Sequence, residues 1–131
     1  MPEPALFFAP LARAIESLER AAAQPKDEFL RDSVIQRFEY TYELAWKLRK
    51  RHLERDEGTE NVDRLNRKDL YRLAWAKGLI TDVSAWFGFH QARNTTSHAC
   101  HEDTAEAIYA VALRFVAGAR RLLGSLEERS A

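Results

Sequence analysis

The sequence predicts an all-α fold, an up-and-down helical bundle with four main helices and one short extra helix. Three observations point there. Apolar residues recur at three- and four-residue steps through most of the chain. No segment shows the alternation of a half-buried strand bounded by turn residues. Residues that cap or stop helices fall between the periodic stretches. The 131 residues suit one domain around one core, spanning residues 1–131, with 1–9 and 127–131 expected to be loosely ordered.

The first helix rests on Leu11, Ala14, Ile15, Leu18 and Ala22, and Pro25 ends that pattern. The longest segment follows, from about Asp27 to Arg55. Its core candidates are Leu30, Val34, Ile35, Phe38, Tyr42, Ala45 and Leu48. Trp46 widens the stripe, and Tyr40 and Leu44 fall on other sides, so this helix should touch more than one neighbour. Gly58 and the polar residues to Asn66 read as a connection. Asn66 is placed to cap a short helix, Arg67 to Lys77, with Asp69 in its first turn and Gly78 beyond its end. Thr81 or Asp82 begins the next helix, which holds Trp86, Phe87 and His90. Asn, Thr and Ser compete with helical hydrogen bonding, so it should end near Arg93 or Asn94. The spacing Asp103-Thr104-Ala105-Glu106 predicts a capping box with Asp103 as N-cap. The last helix carries the clearest stripe: Ala105, Ile108, Ala112, Phe115, Ala119, Leu122 and Leu126.

Composition narrows the function classes. Hydrophobic residues make up 46% and charged residues 31%, a globular balance. Lys+Arg and Asp+Glu both count 20, so no global positive field draws nucleic acid, and any anion site must be local or shared between subunits. Cys100 is the single cysteine, which excludes an intrachain disulfide and fits a reducing compartment. Met1-Pro2-Glu3-Pro4 lacks a basic region and a long apolar run, and no apolar stretch approaches bilayer length. A cytoplasmic location is therefore expected, without a membrane span.

The chemistry concentrates in Arg93-Asn94-Thr95-Thr96-Ser97-His98. Arginine offers a fixed fork of donors for phosphate oxygens, and histidine moves protons near neutral pH. On a continuous helix, five steps of about 100° would set Arg93 and His98 roughly 140° apart. Cooperation therefore needs a break at about Asn94–Ser97, or a counterpart from a second subunit across an isologous interface. The reaction such groups suit is metal-independent RNA cleavage. His98 would exchange a proton with a ribose 2′-hydroxyl or the leaving oxygen, and Arg93 would offset charge developing on phosphorus. Asn94 and Ser97 are candidates to orient the phosphate or fix the imidazole tautomer. The plainer alternative is a helix end with a paired arginine and a loop histidine.

Other clusters read as structural. His98, Cys100, His101, Glu102 and Asp103 lie in one short loop without a second ligand pair, so no metal or other cofactor is expected. Lys47, Arg49, Lys50, Arg51 and Arg55 read as a solvated helix end. Trp46, Trp75, Trp86, Phe87 and Phe89 read as core or interface residues more than base-stacking platforms. Glu39 and Glu43, near Arg37 and Lys47, read as ordinary surface ion pairing.

Several ordered segments resemble one family. Residues 37–47, Arg-Phe-Glu-Tyr-Thr-Tyr-Glu-Leu-Ala-Trp-Lys, look like the RFEFTFELAWK segment of the nucleotidyltransferase substrate-binding subunits. Ala76-Lys77-Gly78-Leu79-Ile80 resembles their A-x-G-L-I turn. Residues 93–98 resemble their RN-x-TSH run, and Glu102-Asp103-Thr104-Ala105 their E-x-TA helix start. The resemblance extends from about Leu18 to Leu123. It implies a bundle of the HEPN superfamily, a homodimer, and a separate minimal nucleotidyltransferase as partner. It also implies kinship with toxin–antitoxin pairs, in which the HEPN member cleaves RNA through an R-x4-6-H motif. That motif maps onto Arg93 and His98. In those pairs the partner adenylylates a tyrosine two residues after the histidine. Here that position is Cys100, which is not an equivalent acceptor, and Tyr109 does not match the motif, so either control rests on complex formation alone or this copy is not a toxin. Three functional readings follow: a latent ribonuclease, a non-catalytic nucleotide-binding subunit, and a helical adaptor.

Overall fold

The computed structural model describes residues 7–130, so the expectations for residues 1–6 and for Ala131 lie outside the described residues. The elements are α1 (Ala9–Ala22), α2 (Glu28–Glu57), α3 (Thr59–Asp63), α4 (Arg67–Ala76), α5 (Val83–Asn94) and α6 (Glu102–Ser130). A short 3-10 turn, Thr96–His98, joins α5 to α6. The predicted all-α class holds, with α1, α2, α5 and α6 as the main helices and α4 as the short extra one. α3 and the 3-10 turn are additions the sequence pattern does not announce. α3 is a single turn that buries Val62 inside a stretch otherwise polar enough to read as loop.

Contact register gives the topology. Tyr42 meets His90, Glu43 meets Arg93 and Arg49 meets Trp86, in opposite chain order, so α2 and α5 are antiparallel. Arg31 meets Glu106 and Phe38 meets Phe115, in the same order, so α2 and α6 run parallel. Thr81–Arg121 and Phe89–Phe115 set α5 antiparallel to α6. Residues 23–27 fold α1 back beside α2, where Arg37 Nε donates to Ser17 Oγ at 3.0 Å. The main helices thus alternate in direction.

Local chemistry sets the helix ends. Asp27, Asn66 and Asp82 cap α2, α4 and α5, each accepting from the backbone N–H three residues on at 2.7–3.0 Å. After α4, Gly78 takes φ 77°, and its N–H and that of Leu79 close back on Trp75 O and Ala74 O at 2.9 Å. This double closure is a Schellman turn, which needs a residue free to adopt the left-handed conformation.

Two predicted ends move. Asp103 is not the N-cap of α6. The helix begins at Glu102, with Ala105 N donating to His101 O at 2.9 Å, so Asp103 sits in the first turn, where its charge faces the positive end of the helix dipole. At the other end α6 continues through Ser130, across residues expected to fray. Leu126 is fully buried, and the Arg129 guanidinium reaches Gly78, so the last turns pack against the α4–α5 connection.

The core follows the predicted stripes. Leu11, Ile15, Leu18, Val34, Phe38, Tyr42, Ala45, Ala105, Phe115 and Leu122 are almost wholly buried. Phe115 is the hub, with Phe38, Phe89 and Trp86 edge-on at 5.1, 5.2 and 5.8 Å between ring centroids. Each such pair adds about 0.5–1.5 kcal/mol beyond its buried area. α2 packs against α1, α3, α4, α5 and α6, as its wide apolar girth requires. One member of its sequence-predicted set differs, since Leu30 is only half-buried, and Arg49, outside that set, is fully buried. Among the described residues, no helix is long and apolar enough to cross a membrane.

Candidate functional site

α5 delivers the Arg93–His98 run and then stops. The Thr95 hydroxyl donates to Ala92 O at 2.9 Å and the Thr96 hydroxyl to Arg93 O at 2.8 Å. These side chains occupy carbonyls at the helix end, and the chain tightens into the 3-10 turn, with His98 N on Thr95 O at 2.9 Å. The break falls where the sequence predicts it, so Arg93 and His98 are not held on opposite sides of one helix.

The four predicted site residues divide into two groups. Arg93 is half-exposed and lies against Glu43 of α2, Nε to Oε1 2.7 Å. The pair is ionic by distance, but its N–H is too poorly aimed for a hydrogen bond. Asn94 places Nδ2 3.2 Å from His90 Nε2. Ser97 and His98 are exposed on the 3-10 turn. Among the described residues, no hydrogen bond or ion pair joins Arg93 to His98. Glu43 was expected to pair along its own helix surface. Its partner is Arg93 instead, because the antiparallel packing of α2 and α5 brings the arginine across.

The predicted solvated helix end also needs correction at one residue. Lys47, Arg51 and Arg55 are exposed and Lys50 pairs with Asp63 at 3.7 Å, but Arg49 is 0% exposed. Its guanidinium carbon lies 4.2 Å from the Tyr71 ring centroid, 4.7 Å from Trp86 and 5.2 Å from Trp46. Among the described residues, none of its three guanidinium nitrogens has a hydrogen-bond partner. The π faces offset part of the desolvation cost. Burial holds the Arg49 pKa below the ordinary arginine value. A signal was present in the sequence, since Arg49 continues the three- and four-step stripe through Phe38, Tyr42 and Ala45. The aromatic prediction fares better: Trp86 and Phe89 are core, Trp46 and Phe87 half-buried, and Trp75 is exposed.

A polar network that the sequence reading missed joins Arg49's aromatic box to the run. The Tyr42 and Tyr71 hydroxyls hydrogen-bond each other in the interior. Tyr42 Oη lies 3.0 Å from His90 Nδ1, and Arg67 Nη1 lies 3.2 Å from the same nitrogen. A guanidinium only donates, so Nδ1 must accept and the ring proton sits on Nε2. The matching amide orientation turns Asn94 Oδ1 toward Nε2. Burial first, then Arg67 and Arg93, hold the His90 pKa below the ordinary imidazole value, against the opposing pull of Glu43. Arg67 is braced over Trp46, its guanidinium carbon 4.0 Å from the ring centroid. Among the described residues, no group of three or more His, Cys, Asp or Glu side chains is placed to hold a metal. Cys100 is an exposed free thiol.

The architecture and site define a small helical-bundle protein with an arginine-rich cluster at a helix break. Comparison with known proteins identifies the type. The family described as "Nucleotidyltransferase substrate binding protein like" matches residues 6–128. The chain is 34% identical over 133 residues to a Haemophilus influenzae protein named "Probable ribonuclease HepT", covering 92% of this chain and 91% of that one. It superposes with TM-score 0.86 and 33% identity on an H. influenzae structure described as the fold of a substrate-binding domain of a nucleotidyltransferase, covering 92% of this chain and 99% of that one. A Thermus thermophilus crystal structure is similar, at TM-score 0.78 and 31% identity over 88% of this chain and 98% of that one. The chain belongs to the nucleotidyltransferase substrate-binding protein family.

Proposed function

We propose that this protein is the substrate-binding, toxin-like subunit of a two-component minimal nucleotidyltransferase system and cleaves RNA without a metal. The observation that carries the reading is the helix break between Asn94 and Thr96, which frees His98 from the axis that holds Arg93. His98 takes the proton of a ribose 2′-hydroxyl or gives one to the leaving oxygen. Arg93 offsets the charge that grows on the phosphorane oxygens, and Asn94 and Ser97 orient the phosphate. The similarity to a protein named as a probable ribonuclease supports the activity. The likeness to a nucleotidyltransferase substrate-binding domain supports the partner.

A homodimer completes this reading by bringing two copies of the run together. Cys100 stands where related pairs carry the adenylylated tyrosine, so control in this system rests on complex formation. Incubation of purified protein with RNA in chelator tests the activity. Cleavage that disappears in both Arg93→Ala and His98→Ala supports it, and cleavage unchanged in both removes it. Light scattering reads the dimer, and co-purification with the neighbouring nucleotidyltransferase reads the partner.

A second reading is a non-catalytic nucleotide-binding subunit. It is favoured by the Arg93–Glu43 ion pair and by the absence, among the described residues, of a group that orients the His98 ring. Nucleotide binding without RNA cleavage selects it.

A further inference from the structure

We propose that Arg67, held in place by His90 and Asn94, forms a phosphate-binding site beside the Arg93–His98 run, taking a backbone phosphate of the bound nucleic acid strand. The site deepens the RNA reading and rests on it only for the identity of the phosphate's carrier.

Charge balance points to an anion. Three arginines, Arg49, Arg67 and Arg93, act electrostatically on His90, and Glu43 is the one carboxylate among its main influences. Glu43 lies against Arg93. Among the described residues, neither Arg49 nor Arg67 has a carboxylate partner. The whole chain carries formal net charge +0, so this excess is local. Unpaired cations gathered at one place in a neutral chain are the footprint of an anion.

Burial points the same way. Arg49 is 0% exposed and its three guanidinium nitrogens have no hydrogen-bond partner among the described residues. Aromatic faces stabilise such a charge only in part, and a phosphate at Arg67 supplies counter-charge at longer range through a medium of low dielectric.

Geometry places the anion at Arg67. This arginine is half-buried, stacked on Trp46 and aimed at His90 by its Nη1 contact of 3.2 Å. Stacking fixes the plane of the guanidinium, so its fork is already ordered for phosphate oxygens. His90 binds Asn94, the residue after Arg93, so the site is continuous with the run. A strand bound at the run therefore passes beside Arg67, which is joined to it through His90 and Asn94. In this arrangement Arg67 binds, His90 orients its guanidinium, and His98 reacts.

The test uses the full chain and two probes that cannot be cleaved: inorganic phosphate and a short single-stranded DNA, which lacks the 2′-hydroxyl. Inorganic phosphate should move the His90 ring signals in the NMR spectrum. Arg67→Gln should weaken DNA binding at least about tenfold, and Arg67→Lys, which keeps the charge and loses the fork, should fall between. Parent-like DNA affinity in Arg67→Gln overturns the site, as does phosphate that moves only His98 signals. Should Arg67→Gln not fold, the Lys variant and the phosphate titration of the parent decide. Cleavage of RNA by the parent with unaltered binding in Arg67→Gln removes this site and spares the ribonuclease reading. Phosphate binding at His90 in a parent that cleaves no RNA does the reverse.

Discussion

Glu43 on α2 holds Arg93 at the end of α5, with Oε1 2.7 Å from Nε. One carboxylate therefore sets where the arginine of the run points before any ligand arrives. Arg93→Ala should lower RNA cleavage by about a hundredfold or more, the scale of losing a donor aimed at developing charge. Glu43→Gln should cost less, about tenfold, because it loosens the arginine and leaves it present. Initial rates on one RNA substrate compare the two. Equal losses would mean that Glu43 acts on the reaction directly.

His98 separates chemistry from stability. Its side chain is exposed and has no hydrogen bond or ion pair among the described residues. His98→Ala should reduce cleavage by about two to four orders of magnitude. Its melting temperature should stay within about a degree of the parent, as for surface changes that break no contact. A large fall in melting temperature would show that the turn depends on the imidazole.

Arg49 is costly where it lies. Its charge is desolvated, and its nitrogens face rings instead of acceptors. Arg49→Met keeps the volume and removes the charge, so folding stability should hold or rise by about 1 kcal/mol. Arg49→Ala should fall by about 2 kcal/mol or more, because the stem fills space that nothing else occupies. Urea unfolding measures both. A strongly destabilised Met variant would show that the cation–π contacts outweigh desolvation.

Acid should destabilise the protein from a high starting pH. Burial holds both His90 and His52 below the ordinary imidazole value, helped at His90 by Arg67 and Arg93. The unfolded chain takes up these protons near pH 6.5 while the folded chain still resists them. Stability is therefore complete above that pH and declines as the pH falls below it. The paired carboxylates Glu19 and Glu106, lowered by hydrogen bonds to Arg120 and to Lys26 and Arg31, weaken the fold only below pH 4.5. Melting temperature should drop between about pH 7.5 and 5.5, and the double variant His90→Gln/His52→Gln should flatten that drop. A flat parent curve would contradict the assignment.

A side chain at Gly78 should destabilise the fold. At φ 77° an L-residue meets its own carbonyl, and a new Cβ would sit 3.0 Å from Arg129 Nη2. Gly78→Ala should cost about 1–2 kcal/mol, read as a lower urea midpoint. The arginine tip can move aside, so the backbone term dominates.

The sequence alone determined the helices and their ends wherever the cause is local. Asn66, Asp82 and Gly78 act within three or four residues of themselves, and their roles are legible from spacing. The stripe from Ala105 to Leu126 needed no knowledge of what it faces. The break after Asn94 belongs here too, since Thr95 and Thr96 bond to carbonyls three residues back. Asp103 misled because the His101 carbonyl had already begun the helix.

Tertiary structure decided which polar groups meet. Arg49 counts as basic in any composition, and only the box of Trp46, Tyr71 and Trp86, drawn from three helices, explains why it is inside. Glu43 and Arg93 lie fifty positions apart in the chain, and His90 gains Tyr42 and Arg67 only when α2, α4 and α5 pack. Hydrophobic periodicity selects a helix's buried face without specifying its partner. The polar cluster beside Arg93 is set by that choice of partner, which the chain makes only on folding.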